Sequence, residues 1–206
     1  MKTMKELCTQ YKCDKGAESH HYYEVYDQHF APRREDEINI LEVGIWHGTS
    51  FDVWHEYFPN ANIYGIDIFT RLQPEDVPAL QKDRVHYLIG DSTKSDIVDK
   101  IFEEWGDIKF DFVIDDGLHD PAANRLTFKH IFPFVAMGGQ YFVEDAWPLH
   151  IMSGAQLRHA WLTKHPERYN HLEMEMFLCE IQQFDTEEFD LRSKGNPDSY
   201  IFKVTK

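Results

Sequence analysis

The sequence has no long apolar run. No stretch approaches the roughly 20 residues that span a bilayer, and the opening MKTMKELCTQYKCDK lacks the apolar segment of a secretory signal. Both features point to a cytoplasmic protein with no membrane partner. Cysteine is scarce as well. Cys8, Cys13 and Cys179 are odd in number and show no paired metal-site spacing, which fits reduced thiols better than a disulfide framework. Basic charge is in deficit. The 206 residues carry a formal charge of −15, which argues against the basic face that nucleic-acid phosphates require and against an anionic membrane surface. Internal repeats, low-complexity tracts and the motif G-x-G-x-x-G are all missing.

What is there is a strict alternation. Residues 1–37 are polar, aromatic and histidine-rich, ending in PRREDE. Beyond them INILEV (38–43), NIYGIDIF (62–69), VHYLIG (85–90), KFDFVID (109–115) and GQYFVED (139–145) read as strands. Phe51, Trp54 and Phe58 stand at helical spacing before Pro59. Further helices are expected over 94–105 and over 121–133, the latter opening on Pro121. Strands alternating with helices predict an α/β fold with a parallel sheet covered on both faces. In the tail, 173–184 and 199–206 flank the turn-rich RSKGNPD, which predicts a closing antiparallel hairpin. The expectation is one domain over 1–206: a Rossmann-like, doubly wound, mostly parallel seven-stranded sheet from residue 38, with 1–37 covering the site.

In such sheets ligands bind beyond the carboxyl ends of the strands. Here each parallel strand ends on acid: Glu42, then Asp67, Asp91, the pair Asp115 and Asp116, and the pair Glu144 and Asp145. The first three suit a nucleoside. A glycine turn after strand one admits a ligand to the backbone, and an acid about 20 residues on accepts hydrogen bonds from ribose hydroxyls. Gly44 and Gly48 supply the turn, and Asp67 follows at the right distance. Trp46 stands where a pyrophosphate needs space, favouring adenosine without a diphosphate. The remaining acids pose a charge problem. Carboxylates on neighbouring strands raise one another's pKa unless a cation or a proton intervenes. An oxygen-only set selects a hard cation, magnesium before calcium; an arginine or lysine clamp is the other solution. His119, three residues past Asp116, is placed to act as a general base, because imidazole titrates near neutrality.

With CDKGAESHHYYEVYDQHF, INILEVGIWHGTSFDVWHEYFPNANIYGIDIF, VHYLIGDS, FDFVIDDGLHD and GGQYFVEDAW in view, the chain resembles the class I S-adenosylmethionine-dependent methyltransferases. Among them it is similar to the magnesium-dependent sugar O-methyltransferases of the macrocin and mycinamicin type. The resemblance implies that Asp116, Glu144 and Asp145 hold Mg2+ and that His119 is the base. It also implies cofactor contacts from Glu42, Gly44, Asp67 and Asp91, with Gly48, Ser50, Ser92, Asp115 and Tyr22 as further cofactor-side candidates. His21, Tyr22 and Tyr26 match a segment that folds over the active site, although the family's usual GTDKG reads KCDKG here.

The expected function is methylation of a sugar hydroxyl on a glycoside, natural product or polysaccharide, using S-adenosylmethionine and Mg2+. Its rivals are a catechol or vicinal-diol methyltransferase, a nicotinamide-dependent oxidoreductase and a non-catalytic binding module. The acceptor is expected between residues 1–30 and 146–165, where Trp147, His150 and Trp161 would stack on a sugar unless they are core. A homodimer is the default assembly.

Overall fold

The computed structural model describes residues 1–159 and 162–206. Two short helices come first, α1 (Met4–Tyr11) and α2 (Tyr23–Phe30). Thr3 starts α1 with a reciprocal cap. Its hydroxyl accepts from the Glu6 amide, and the Glu6 carboxylate accepts from the Thr3 amide. The alternation follows as β1 (Asn39–Val43), α3 (Thr49–Tyr57), β2 (Asn62–Asp67), β3 (Val85–Ile89), α4 (Asp96–Trp105), β4 (Phe110–Asp115), α5 (Pro121–Ile131) and β5 (Val135–Val143). Asp120 caps α5 through the Ala123 amide, with Pro121 at the first helical position, where its missing N–H costs nothing.

The tail departs from the sequence expectation in one respect. Residues 173–184, expected as the first arm of a hairpin, lie mostly within the helix His171–Ile181. Met174, Phe177 and Ile181 recur at helical spacing and are buried, and Asn170 caps the first turn through the Glu173 amide. The hairpin itself is formed by β6 (Asp185–Asp190) and β7 (Tyr200–Thr205), paired antiparallel. β7 also pairs antiparallel with β5. The seven-stranded sheet runs β3-β2-β1-β4-β5-β7-β6, and its first five strands are parallel. The order reverses between β1 and β4, which opens a crevice at their carboxyl ends.

Side chains alternate across the sheet and feed two cores. Phe112 and Phe142 point to one face, where they meet Phe30, Trp54 and Phe58. Val113 and Tyr141 point to the other, against Phe128, Ile131 and Phe177. Phe30 has no solvent exposure, and its ring lies 4.4 Å from that of Phe112 and 5.5 Å from that of Phe58. The N-terminal segment is thereby welded to the sheet through α2. Phe30→Ala should therefore destabilise the protein by about 3–5 kcal/mol, read as a lower urea midpoint at unchanged slope.

Candidate active site

The β1–α3 turn is held by backbone contacts that only glycine permits. Gly44 has φ +92°, and a Cβ there would lie 2.1 Å from the Asp116 carbonyl oxygen. β1 and β4 therefore run out of the sheet in contact, and Gly48 (φ +72°) starts α3. Asp67 braces the same turn. Its Oδ2 accepts from the amides of Ile45 and Trp46 at 2.7 and 3.2 Å, and its Oδ1 accepts from Phe69 at 2.7 Å. Trp46, Phe69, His119 and Asp145 all adopt left-handed backbone conformations, with φ between +44° and +54°. Such residues persist only where their surroundings enforce them, and they concentrate at functional sites.

These turns enclose a cavity of about 600 Å3. Among the sequence-predicted residues, Gly44, Ser50, Asp67, Asp116, His119 and Asp145 line it. The others are not among its lining residues. Glu42 is fully buried and accepts from the Trp54 indole at 2.7 Å. Asp91 caps its own turn through Thr93. Ser92 is paired with Thr127. Asp115 faces Asn124 and Tyr141, and Tyr22 holds Asp145 at 2.6 Å. Trp147 is 2% exposed and sits in the core, His150 pairs with Glu188, and Trp161 lies outside the described residues.

The charge problem at the strand ends is met partly by a residue that sequence reasoning passed over. Lys15, 1% exposed, places its Nζ 2.7 Å from Asp116, 2.6 Å from Glu144 and 3.3 Å from Glu42. Burial alone would discharge the ammonium, but Asp116, Glu144 and Glu42 together hold its pKa well above the ordinary lysine value. One cation faces three carboxylates. The deficit falls on Glu144 and Glu42: burial pushes the Glu144 carboxyl well above the usual carboxylate range and the Glu42 carboxyl up to about 7, in both cases against the pull of Lys15. Glu144 is spoken for: one oxygen meets Lys15 and the other accepts from the Tyr26 hydroxyl. The only signal for Lys15 was its place in KCDKG, beside the acid Asp14, which also lines the cavity.

Asp116, His119 and Asp145 converge differently. Their ligand atoms lie within 4.8 Å of one another. His119 Nε2 stands 3.6 Å from Asp116 Oδ1, and Nδ1 stands 3.6 Å from Asp145 Oδ2, both beyond hydrogen-bond length. His119 Nδ1 is buried and makes no hydrogen bond. Two convergent carboxylate oxygens beside an unsatisfied ring nitrogen are a donor set with room for a hard cation. Glu144 does not join this set.

No protein-family model matches the chain. It is 33% identical over 151 residues to mycinamicin VI 2''-O-methyltransferase of Micromonospora griseorubida, a match covering 70% of this chain and 36% of that protein. Demethylmacrocin O-methyltransferase of Streptomyces fradiae is also 33% identical over 151 residues, again 70% of this chain and 36% of that one. The chain spans about a third of the length of these relatives. Among solved structures, the MycE methyltransferase from the mycinamycin biosynthetic pathway, in complex with Mg and SAH, superposes with a TM-score of 0.72 at 25% identity. That match covers 99% of this chain and 55% of the other.

Two outcomes follow from the buried charges. Lys15→Met leaves the carboxylates unpaired and should cost about 3–5 kcal/mol, a loss that calorimetry should find smaller at pH 5 than at pH 8. Burial pushes the Asp115 carboxyl up to about 7, against the hydrogen bonds from Asn124 and Tyr141. A raised acid costs stability progressively as pH climbs from its unfolded value toward its folded one. Melting temperature should fall between about pH 4 and pH 7 by this contribution, and Asp115→Asn should flatten the slope.

Proposed function

We propose that this chain, homologous to one segment of the macrocin- and mycinamicin-type sugar O-methyltransferases, is an S-adenosylmethionine- and Mg2+-dependent O-methyltransferase acting on a sugar hydroxyl. The observation that carries this reading is the convergence of Asp116, Asp145 and His119 at the carboxyl ends of β4 and β5, on the wall of a cavity that also holds the Gly44 turn.

The roles divide along that cavity. The Gly44–Gly48 turn, with Asp67 behind and beside it, forms the end suited to a nucleoside. The open backbone at Gly44 admits the ligand, and Asp67 fixes the turn against it. Asp116 and Asp145 would hold the magnesium ion. When bound there, the ion supplies positive charge that makes a nearby hydroxyl easier to deprotonate. His119, between the two acids, takes the proton from the acceptor hydroxyl at a ring nitrogen. Lys15 holds Asp116 Oδ2, so the other oxygen is the one that faces His119. The contribution of these groups is mainly orientation of acceptor and methyl donor, with electrostatic stabilisation of the oxygen that attacks.

The second reading, a catechol or vicinal-diol acceptor, calls on the same acids. A panel of glycosides and phenols assayed for S-adenosylhomocysteine, with and without Mg2+, separates the two. Turnover is expected on glycosides, lost in EDTA and restored by Mg2+. His119→Ala should lower kcat by roughly 10²–10⁴-fold. Full turnover in EDTA would remove the metal from this account, and wild-type rates in His119→Ala would remove the base.

A further inference from the structure

The two cavity acids are each held by one oxygen, and the groups that hold Asp145 form a connected set. The Tyr22 hydroxyl donates to Asp145 Oδ1 at 2.6 Å and accepts from the Asp145 amide at 3.1 Å. One hydroxyl therefore locks both the carboxylate and the left-handed backbone (φ +51°) of the same residue. His20 adds a second hold. Its Nδ1 lies 3.1 Å from Asp145 Oδ1 and 3.0 Å from Ser199 Oγ. Asn196 donates to His20 Nε2 at 3.1 Å, which puts the ring proton on Nδ1, where its hydrogen bond is with Ser199 Oγ and Asp145 Oδ1 lies within ion-pair distance. The His20 ring stacks on Tyr22 at 5.0 Å, and both residues are buried. Gly195 lets the β6–β7 turn press onto this pair, since a Cβ there would lie 2.8 and 3.0 Å from the carbonyl oxygens of Ser19 and His20.

We infer that Tyr22 and His20 are positioning residues that fix Asp145 for a divalent cation, with Asn196 and Ser199 of the β6–β7 turn setting the histidine. With Oδ1 hydrogen-bonded by Tyr22 and in ion-pair range of His20, Oδ2 is the oxygen that faces His119. The arrangement mirrors that at Asp116, whose Oδ2 is taken by Lys15. Groups that orient metal ligands in this way typically change metal affinity 10–100-fold when removed. The inference rests on the reading of Asp116 and Asp145 as cation ligands.

The test is a Mn2+ titration followed by the loss of the free-ion electron paramagnetic resonance signal. Wild-type protein should bind, and Tyr22→Phe, which keeps the ring, should bind about 10–100-fold more weakly. S-adenosylmethionine affinity, read by calorimetry, should stay within about twofold. His20→Ala should weaken Mn2+ binding in the same direction, and His20→Asn, whose amide can replace Nδ1, should recover part of it. If Tyr22→Phe does not fold, the His20 pair decides. A folded Tyr22→Phe, or failing that a folded His20→Ala, with Mn2+ affinity within about twofold of wild type overturns the inference while leaving the metal reading intact. Failure of the wild-type protein to bind Mn2+ overturns both.

Discussion

The Lys15 ammonium is the interaction on which the rest of this molecule turns. It sits where the carboxyl ends of β1, β4 and β5 meet, in contact range of an acid from each. Without a cation at that point, a buried cluster of acids on adjacent strands would repel and take up protons. With it, the strands can end in charge, and one oxygen of Asp116 remains available to the cavity. The cost of burying an ammonium is offset only because several oxygens surround it. Burying the residue therefore also commits the loop that carries it, which explains why residues 12–22 run across the sheet end.

The cavity is built on held backbone as much as on side chains. Gly44 permits β1 and β4 to leave the sheet in contact, and Asp67 spends both oxygens on amides of the two flanking turns. Asp67 thus acts first as a brace. The left-handed residues Trp46, Phe69, His119 and Asp145 all lie on this wall. Each costs roughly 1–3 kcal/mol, set against the aromatic packing that joins α2 and α3 to the sheet. Strain at the wall and close packing beneath it are two sides of one design: a rigid floor supports turns that would otherwise relax.

Much of this was legible in the sequence, for physical reasons that differ by region. The parallel strands declare themselves because buried strands are short, apolar and bounded by turns, and their acids stand out against that background. His119 is legible because it follows Asp116 by three residues through a tight turn. The helix His171–Ile181 was not, because EMEMFLCEIQQF mixes apolar and polar residues in a way that either period fits until Met174, Phe177 and Ile181 are weighed together. Lys15 was illegible for a different reason: its partners are 101 and 129 residues away, and no local pattern announces a salt bridge across such a distance. Glu144 reads as a cavity acid from its neighbour Asp145, but just past the end of β5 its side chain turns inward to Lys15 and Tyr26, while Asp145 takes a left-handed backbone and lines the cavity. Of this pair only Asp145 lines the cavity.

The β6–β7 turn lies far from the parallel strands in sequence, yet it touches the segment around His20 across 176 to 179 residues. Contacts of that span carry a loop-closure cost, since a long loop must close before they give any return. The parallel sheet depends on shorter closures and can assemble first. The wall of the cavity around Asp145 is completed only where the opening loop and the last hairpin turn dock on each other. Opening of that joint would loosen the hold of His20 on Asp145 while leaving the parallel strands paired, so the integrity of the site is tied to the joint as well as to the sheet.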